Sequence, residues 1–344
     1  MNGYTLPRPE FKPLGRHDPA ETKRQLWWSG SGIRFSLKAA ALEADITWTG
    51  TGFNPWMGVT VDGAPVCRFP LTPGTRRYPL LAGMDGSVSH EIALVRDSQP
   101  VEGSDAGPIV IDAVYTDGVP SSPAERPLLI EFLGDSLTVG EGCLGPRSAA
   151  EWRMVWISVL SAFPSLVCEV MNADMRVVAL GGWGASRSWD DREENRIGRI
   201  YGQLCAPIPG GDITADFEER RAHAVVINLG TNDGSPISRL EGDERAAAEE
   251  LLEHRAVELM KDVRKRNPEA VILWAYGMCG KPLEPILRRA AEAFIREGGG
   301  RADYLSLTPA PDQGSRFHPG RESHRLAAEE ISAKLREMLG PSRA

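Results

Sequence analysis

From residue 128 onward the chain repeats one pattern, a short apolar run followed by a polar break and a helical stretch. The runs fall at 128–133, 175–180, 224–229, 271–276 and 303–307. Each is too short for a buried helix and suits a strand buried on both faces. The clearest helical stretch, 241–266, is rich in Ala, Leu, Glu and Arg and stops before Asn267-Pro268. The last runs from about 319 to 339, with Leu326, Ile331, Leu335 and Met338 at helical spacing. Strand and helix in alternation predict a parallel five-stranded sheet covered on both faces. Such sheets carry their sites just beyond the carboxyl ends of the strands.

The first part of the chain is built differently. Between about 27 and 116, short segments alternate apolar and polar residues, as in 32–37 (GIRFSL), 44–48 (ADITW), 58–61 (GVTV), 91–95 (EIALV) and 109–115 (IVIDAVY). Asp62-Gly63, Pro73-Gly74 and Asp85-Gly86 supply turn chemistry between them. Many short strands without a helical stripe predict an all-β sandwich of jelly-roll type. Residues 118–127 (GVPSSPAERP) lack periodicity and read as a linker. The expected organisation is a β-sandwich domain over 1–117, a linker over 118–127 and an α/β domain over 128–344.

The net charge of −8 and the lack of a long Lys/Arg block speak against nucleic-acid or anionic-membrane partners. Oligomeric partners are not legible. The opening MNGYTLPRPEFKPLGR lacks the apolar core of a secretory signal, so the chain reads as cytoplasmic. Five scattered cysteines, Cys67, Cys143, Cys168, Cys205 and Cys279, form no C-x-x-C pair and have no His at ligand spacing. They read as buried, reduced thiols, with no structural metal.

Four short blocks follow successive strands. Gly134-Asp135-Ser136-Leu137 comes first, directly after LLIEFL. A serine where a strand turns into a helix exposes its hydroxyl and aims its own N–H where an oxyanion would form. Gly181-Gly182-Trp183-Gly184 lets a backbone N–H approach a ligand, with Gly184 the chosen donor and Gly182 the neighbour that could replace it. In Gly230-Thr231-Asn232-Asp233, Asn232 can offer a side-chain N–H and Asp233 can brace the loop. The fourth block is His318-Pro319, and of the six histidines only His318 lies in a loop at a helix start.

In this order the blocks resemble those of the SGNH, or GDSL, hydrolases, whose name records a Ser, a Gly, an Asn and a His. The resemblance covers residues 128 to the end and implies a flavodoxin-like SGNH-hydrolase domain. By it, Ser136 matches the nucleophile, Gly184 and Asn232 the oxyanion donors, and His318 the general base. It implies an acyl-enzyme mechanism with no metal or organic cofactor. One departure is plain. The acid that orients the histidine usually lies three residues before it, where this chain has Ser315. Either Asp312 reaches His318 from six residues upstream, or the site is a dyad with a backbone carbonyl holding the imidazole.

The two-domain layout, the opening Trp28-Ser29-Gly30-Ser31-Gly32-Ile33, and the phrases EFLGDSLTVGEG and VVINLGTND are similar to carbohydrate esterase family 2. That resemblance implies removal of acetyl groups from sugar hydroxyls in xylan and related glycans, the acetylated oligosaccharide being the partner. Trp183, Phe317 and Asp135 are the expected substrate contacts, since aromatic faces stack on sugar rings. The alternatives are a short-chain esterase, thioesterase or phospholipase on the same scaffold, or a glycan-binding protein with a decayed esterase site.

Overall fold

The computed structural model describes residues 1–340, so positions 341–344 of the predicted second domain lie outside the described residues. The chain forms two compact units. One comprises Met1–Arg126 with Gln203–Asp216, the other Pro127–Gly202 with Phe217–Ala344.

The first unit is built from β1 (Asn2–Thr5), β2 (Lys12–Leu14), β3 (Arg24–Leu26), β4 (Gly32–Lys38), β5 (Ala41–Trp48) and β6 (Trp56–Val61), followed by β7 (Ala64–Pro70), β8 (Gly74–Ala82), β9 (His90–Arg96), β10 (Ile109–Thr116) and β11 (Val119–Ser121). One antiparallel sheet runs β1-β10-β5-β8 with β3 also on β10, and the other β11-β4-β9-β6-β7 with β2 on β4. The strict alternation of buried and less buried positions along β5 is the signature of a strand with one face on the core. Phe11, Phe35, Trp48, Ile46, Val59 and Leu94 meet in that core. Asp62 (φ 50°) and Gly63 (φ 84°) both take left-handed backbone, which is what the tight hairpin from β6 to β7 requires. Within the stretch predicted as a linker, Val119–Ser121 pairs antiparallel with β4.

The segment Gln203–Asp216 completes this unit from the middle of the chain. Leu204 offers its carbonyl to the indole N–H of the buried Trp28 at 2.5 Å, and Gln203 offers its own to Arg16 at 2.7 Å. Nearby, Arg96 and Asp105 form a buried ion pair at 2.6 Å, with the second Asp105 oxygen on Trp48 Nε1 at 2.9 Å.

The second unit has a parallel sheet in the order β13 (Ala173–Ala179), β12 (Leu128–Gly134), β14 (Ala224–Asn228), β15 (Val271–Tyr276), β16 (Ala302–Ser306). Every residue of β12, β14 and β15 is buried, as strands covered on both faces must be. The cover comes from two helix pairs: α1 (Phe163–Val170) packs with α6 (Arg321–Leu339), and α4 (Gly242–Arg266) with α5 (Glu284–Arg296). Acidic residues in the first turn of α4 and Arg264, Lys265 and Arg266 in its last turn suit the helix dipole. After β13 the expected helix is a single turn, α2 (Ile197–Ile200), within a long irregular connection. That connection has little apolar periodicity and is held by side-chain bonds instead. The strand order reverses direction beside β12, so the crevice between the carboxyl ends of β12 and β14 is where a doubly wound sheet takes its ligand. No helix among the described residues is long and apolar enough to cross a membrane.

Candidate active site

β12 ends at Gly134, and Asp135 makes the turn by accepting the Leu137 N–H on Oδ1 at 2.9 Å. Ser136 follows, 7% exposed, at the strand's carboxyl end. The chain does not enter a helix there, as the sequence pattern implied, but coils through successive turns. Gly140 (φ 74°) and Gly142 (φ 79°) take left-handed backbone, which breaks helical geometry. A Cβ at Gly142 would stand 2.6 Å from the Ser315 carbonyl and 2.8 Å from His318 Cβ. The glycine lets the histidine loop lie directly against the serine turn.

His318 Nε2 lies 3.0 Å from Ser136 Oγ, and its Nδ1 lies 3.0 Å from the carbonyl of Arg316. A carbonyl can only accept, so Nδ1 carries the proton and Nε2 is left as the acceptor for the serine hydroxyl. To turn that carbonyl inward, Arg316 (φ 54°) and Phe317 (φ 61°) both adopt left-handed backbone. Each such residue costs about 1–2 kcal/mol, so the rest of the loop must hold it. The Arg316 amide, bonded to the Ala149 carbonyl at 2.9 Å, is one restraint.

Asp312 does not supply the orienting acid. Its carboxylate instead accepts the amides of Ser323 at 2.7 Å and Glu322 at 3.3 Å, together with the Ser323 hydroxyl, at the start of α6. Orphan N–H groups at a helix start attract a carboxylate more directly than an imidazole six residues away. Burial raises the Asp312 pKa, but these hydrogen bonds outweigh it, and the carboxyl sits below its usual range. The stabilisation is therefore complete above the unfolded value near pH 4 and is lost as pH falls through the lower folded value. Asp312→Ala is expected to cost about 1 kcal/mol of stability by loss of the cap. Most of the activity should remain, and thermal melts with initial rates would check both.

Asn232 sits in the first turn of α3 (Thr231–Ile237), directly after β14. Its amide donates to the Trp183 carbonyl at 2.8 Å and to Asp135 Oδ2 at 3.1 Å. Both amide hydrogens are thus engaged. Asp135, expected among the substrate contacts, is fully buried and braces Asn232 and the turn instead. Burial pushes its carboxyl up to about 7, and the nearby Asp233 and Glu141 charges add to the rise. Asp233, expected to brace its own loop, reaches across to the second block, accepting the amides of Ala185, Ser186 and Arg187 at 2.9, 2.7 and 3.1 Å. A Cβ at Gly184 would come within 2.4 Å of that carboxylate, so only glycine fits. The Gly184 N–H makes a long 3.4 Å contact with the Asn195 carbonyl, whereas the Gly182 N–H has no acceptor among the described residues.

Two aromatic side chains stand out in solvent. Phe317, beside His318, is 83% exposed and Trp189 57%, while Trp183 is half-buried. A Cβ at Gly182 would touch Trp189 at 2.8 Å, which places that indole against the second block. The remaining histidines have structural partners. His324 is buried, stacked on Phe163 and pushed down to about 4 by desolvation, and His223 accepts the Leu129 N–H at 3.1 Å. Among the described residues no group of three or more His, Cys, Asp and Glu side chains is arranged to hold a metal ion. Of the thiols expected to be buried, Cys143, Cys168 and Cys205 are, but Cys279 is exposed and Cys67 only half-buried.

Comparison with known proteins finds similar chains. Residues 14–106 match the family model described as carbohydrate esterase 2 N-terminal. Over 339 residues the chain is 22% identical to an acetylxylan esterase / glucomannan deacetylase of Cellvibrio japonicus, covering 96% of this chain and 89% of that one. The chain is similar to carbohydrate esterase family 2 in its N-terminal stretch. A second similar protein is the cellulase/esterase CelE of Acetivibrio thermocellus, 25% identical over 326 residues. This chain spans 37% of the length of CelE. The fold is that of an acetyl xylan esterase, Est2A, from the rumen bacterium Butyrivibrio proteoclasticus, with a TM-score of 0.93, 22% identity, and 99% and 100% of the two chains covered.

The structure places His318 against Ser136 and Asn232 against the neighbouring Asp135. Two features of the site had no sequence signal: the orienting carbonyl of Arg316, and Glu141, whose Oε1 lies 3.8 Å from His318 Nε2.

Proposed function

We propose that this chain is a serine esterase that removes acetyl groups from carbohydrate hydroxyls, with xylan-type oligosaccharides as substrate. The observation that carries the reading is the pair of 3.0 Å contacts that leave His318 Nε2 facing Ser136 with its other nitrogen held by a carbonyl. In this mechanism His318 takes the Ser136 proton and Oγ attacks the acetyl carbonyl. The oxyanion is held by the Ser136 N–H, an amide of the Gly182–Gly184 turn and the Asn232 amide. His318 then returns the proton to the departing sugar hydroxyl, and a water activated by the same imidazole releases acetate. A dyad of this kind needs no carboxylate at Nδ1, which leaves Asp312 to its helix.

The substrate class rests on the relatives and on the exposed rings. The similar proteins are acetylxylan esterases and a glucomannan deacetylase, and a family two esterase of similar fold from Clostridium thermocellum is in complex with cellohexaose. Phe317, next to His318, and Trp189, against Gly182, offer flat exposed apolar faces of the kind sugar stacking uses. The test is acyl-chain length. 4-Nitrophenyl acetate is expected to turn over about tenfold or more faster than the octanoate, with acetylated xylo-oligosaccharides deacetylated as well. Equal or faster octanoate hydrolysis would favour a general esterase. A well-folded protein that binds such oligosaccharides without releasing acetate would instead be a binding protein.

A further inference from the structure

Glu141 is 5% exposed and its backbone N–H bonds to the Ser136 carbonyl at 2.9 Å, so its side chain is fixed relative to the serine. Its Oε1 stands 3.8 Å from His318 Nε2 and forms an ion pair with the Arg316 guanidinium. The same Arg316 turns its carbonyl to His318 Nδ1. The imidazole therefore lies between a neutral acceptor on one nitrogen and a nearly buried carboxylate beside the other. In the serine triad a buried acid on Nδ1 stabilises the imidazolium that forms when the serine is deprotonated. Here that nitrogen sees only a dipole.

We infer that Glu141 is the positioning residue that supplies the missing negative charge, stabilising the His318 imidazolium from the Nε2 side while Arg316 keeps its carboxylate from capturing the proton. The inference rests on the Ser136–His318 reading and deepens it. An opposite charge about 4 Å away, little exposed, favours the protonated ring. Left alone, a carboxylate so placed would compete for the Nε2 proton that must pass to the leaving hydroxyl. Pairing with Arg316 engages the carboxylate and holds it beyond hydrogen-bond reach of Nε2. One residue then works at both ends of the device, by its carbonyl on Nδ1 and by its guanidinium on Glu141. The other titratable groups around the pair are Asp135, buried beneath the serine turn, and His324, which is neutral near pH 7.

The test is the titration of His318 by NMR in the wild type, Glu141→Gln and Glu141→Asp, with its resonances assigned by loss in His318→Gln. Removing the charge while keeping the shape should lower the His318 midpoint by about one pH unit, because the imidazolium loses its counter-charge. In step, kcat should fall about tenfold with KM within twofold. Glu141→Asp keeps the charge and should restore most of the midpoint even where packing is disturbed. An unchanged midpoint in Glu141→Gln overturns the inference whatever the rate does, and so does a loss seen in KM alone. Failure of the Ser136–His318 reading itself would show separately, as activity that survives Ser136→Ala.

Discussion

Ser136→Ala is expected to lower kcat for acetyl-ester hydrolysis by about 10⁴-fold or more without changing the melting temperature appreciably. The hydroxyl is the only atom lost, and its partner is His318 Nε2 at 3.0 Å, so little packing depends on it. His318→Ala should fall as far, and the double variant no further, because the two act as one unit. Rates on 4-nitrophenyl acetate, with circular dichroism and thermal melts of each variant, would check this. Activity that persists in Ser136→Ala would remove the acyl-enzyme mechanism altogether.

Asn232→Ala should cost about 10²–10³-fold in kcat while KM stays near the wild-type value. The amide is held by Trp183 and Asp135, and a pre-aimed donor acts mainly on charge that develops in the transition state. A KM increase with unchanged kcat would mean that Asn232 binds the substrate and not the oxyanion. Asn232→Asp separates shape from charge, since a second carboxylate beside Asp135 cannot donate to an oxyanion and should be at least as damaging.

How much of this was legible in advance follows from where each signal lives. The five strands of the parallel sheet were legible because burial on both faces forces contiguous apolar runs, and Ser136, Asn232 and His318 because each follows such an element. The short edge strands β2, β3 and β11 carry too few residues for a period, and β7 (Ala64–Pro70) is mostly exposed, so its pattern gives no alternation. The connection from β13 to β14 was expected to be helical, yet the Asp233 carboxylate and paired loop backbones shape it. The orienting acceptor of His318 is a main-chain carbonyl, which has no residue type to read. Glu141 reaches the imidazole only because Gly140 and Gly142 turn left-handed, and side-chain periodicity does not record that. Asp312 shows the converse error, a plausible residue near in sequence whose carboxylate is claimed by the nearest helix start.

The first unit draws Gln203–Asp216 from beyond the first two strands of the second. A chain is made from its amino terminus, so Trp28 receives the Leu204 carbonyl only long after the strands around it have left the ribosome. At translation rates of about 5–20 residues per second, that wait lasts roughly 5–20 s. During it the nascent β unit lacks a stretch of its own wall. A truncation after Arg126 would keep it in that unfinished state permanently, so the two units of this chain cannot be separated by a single cut.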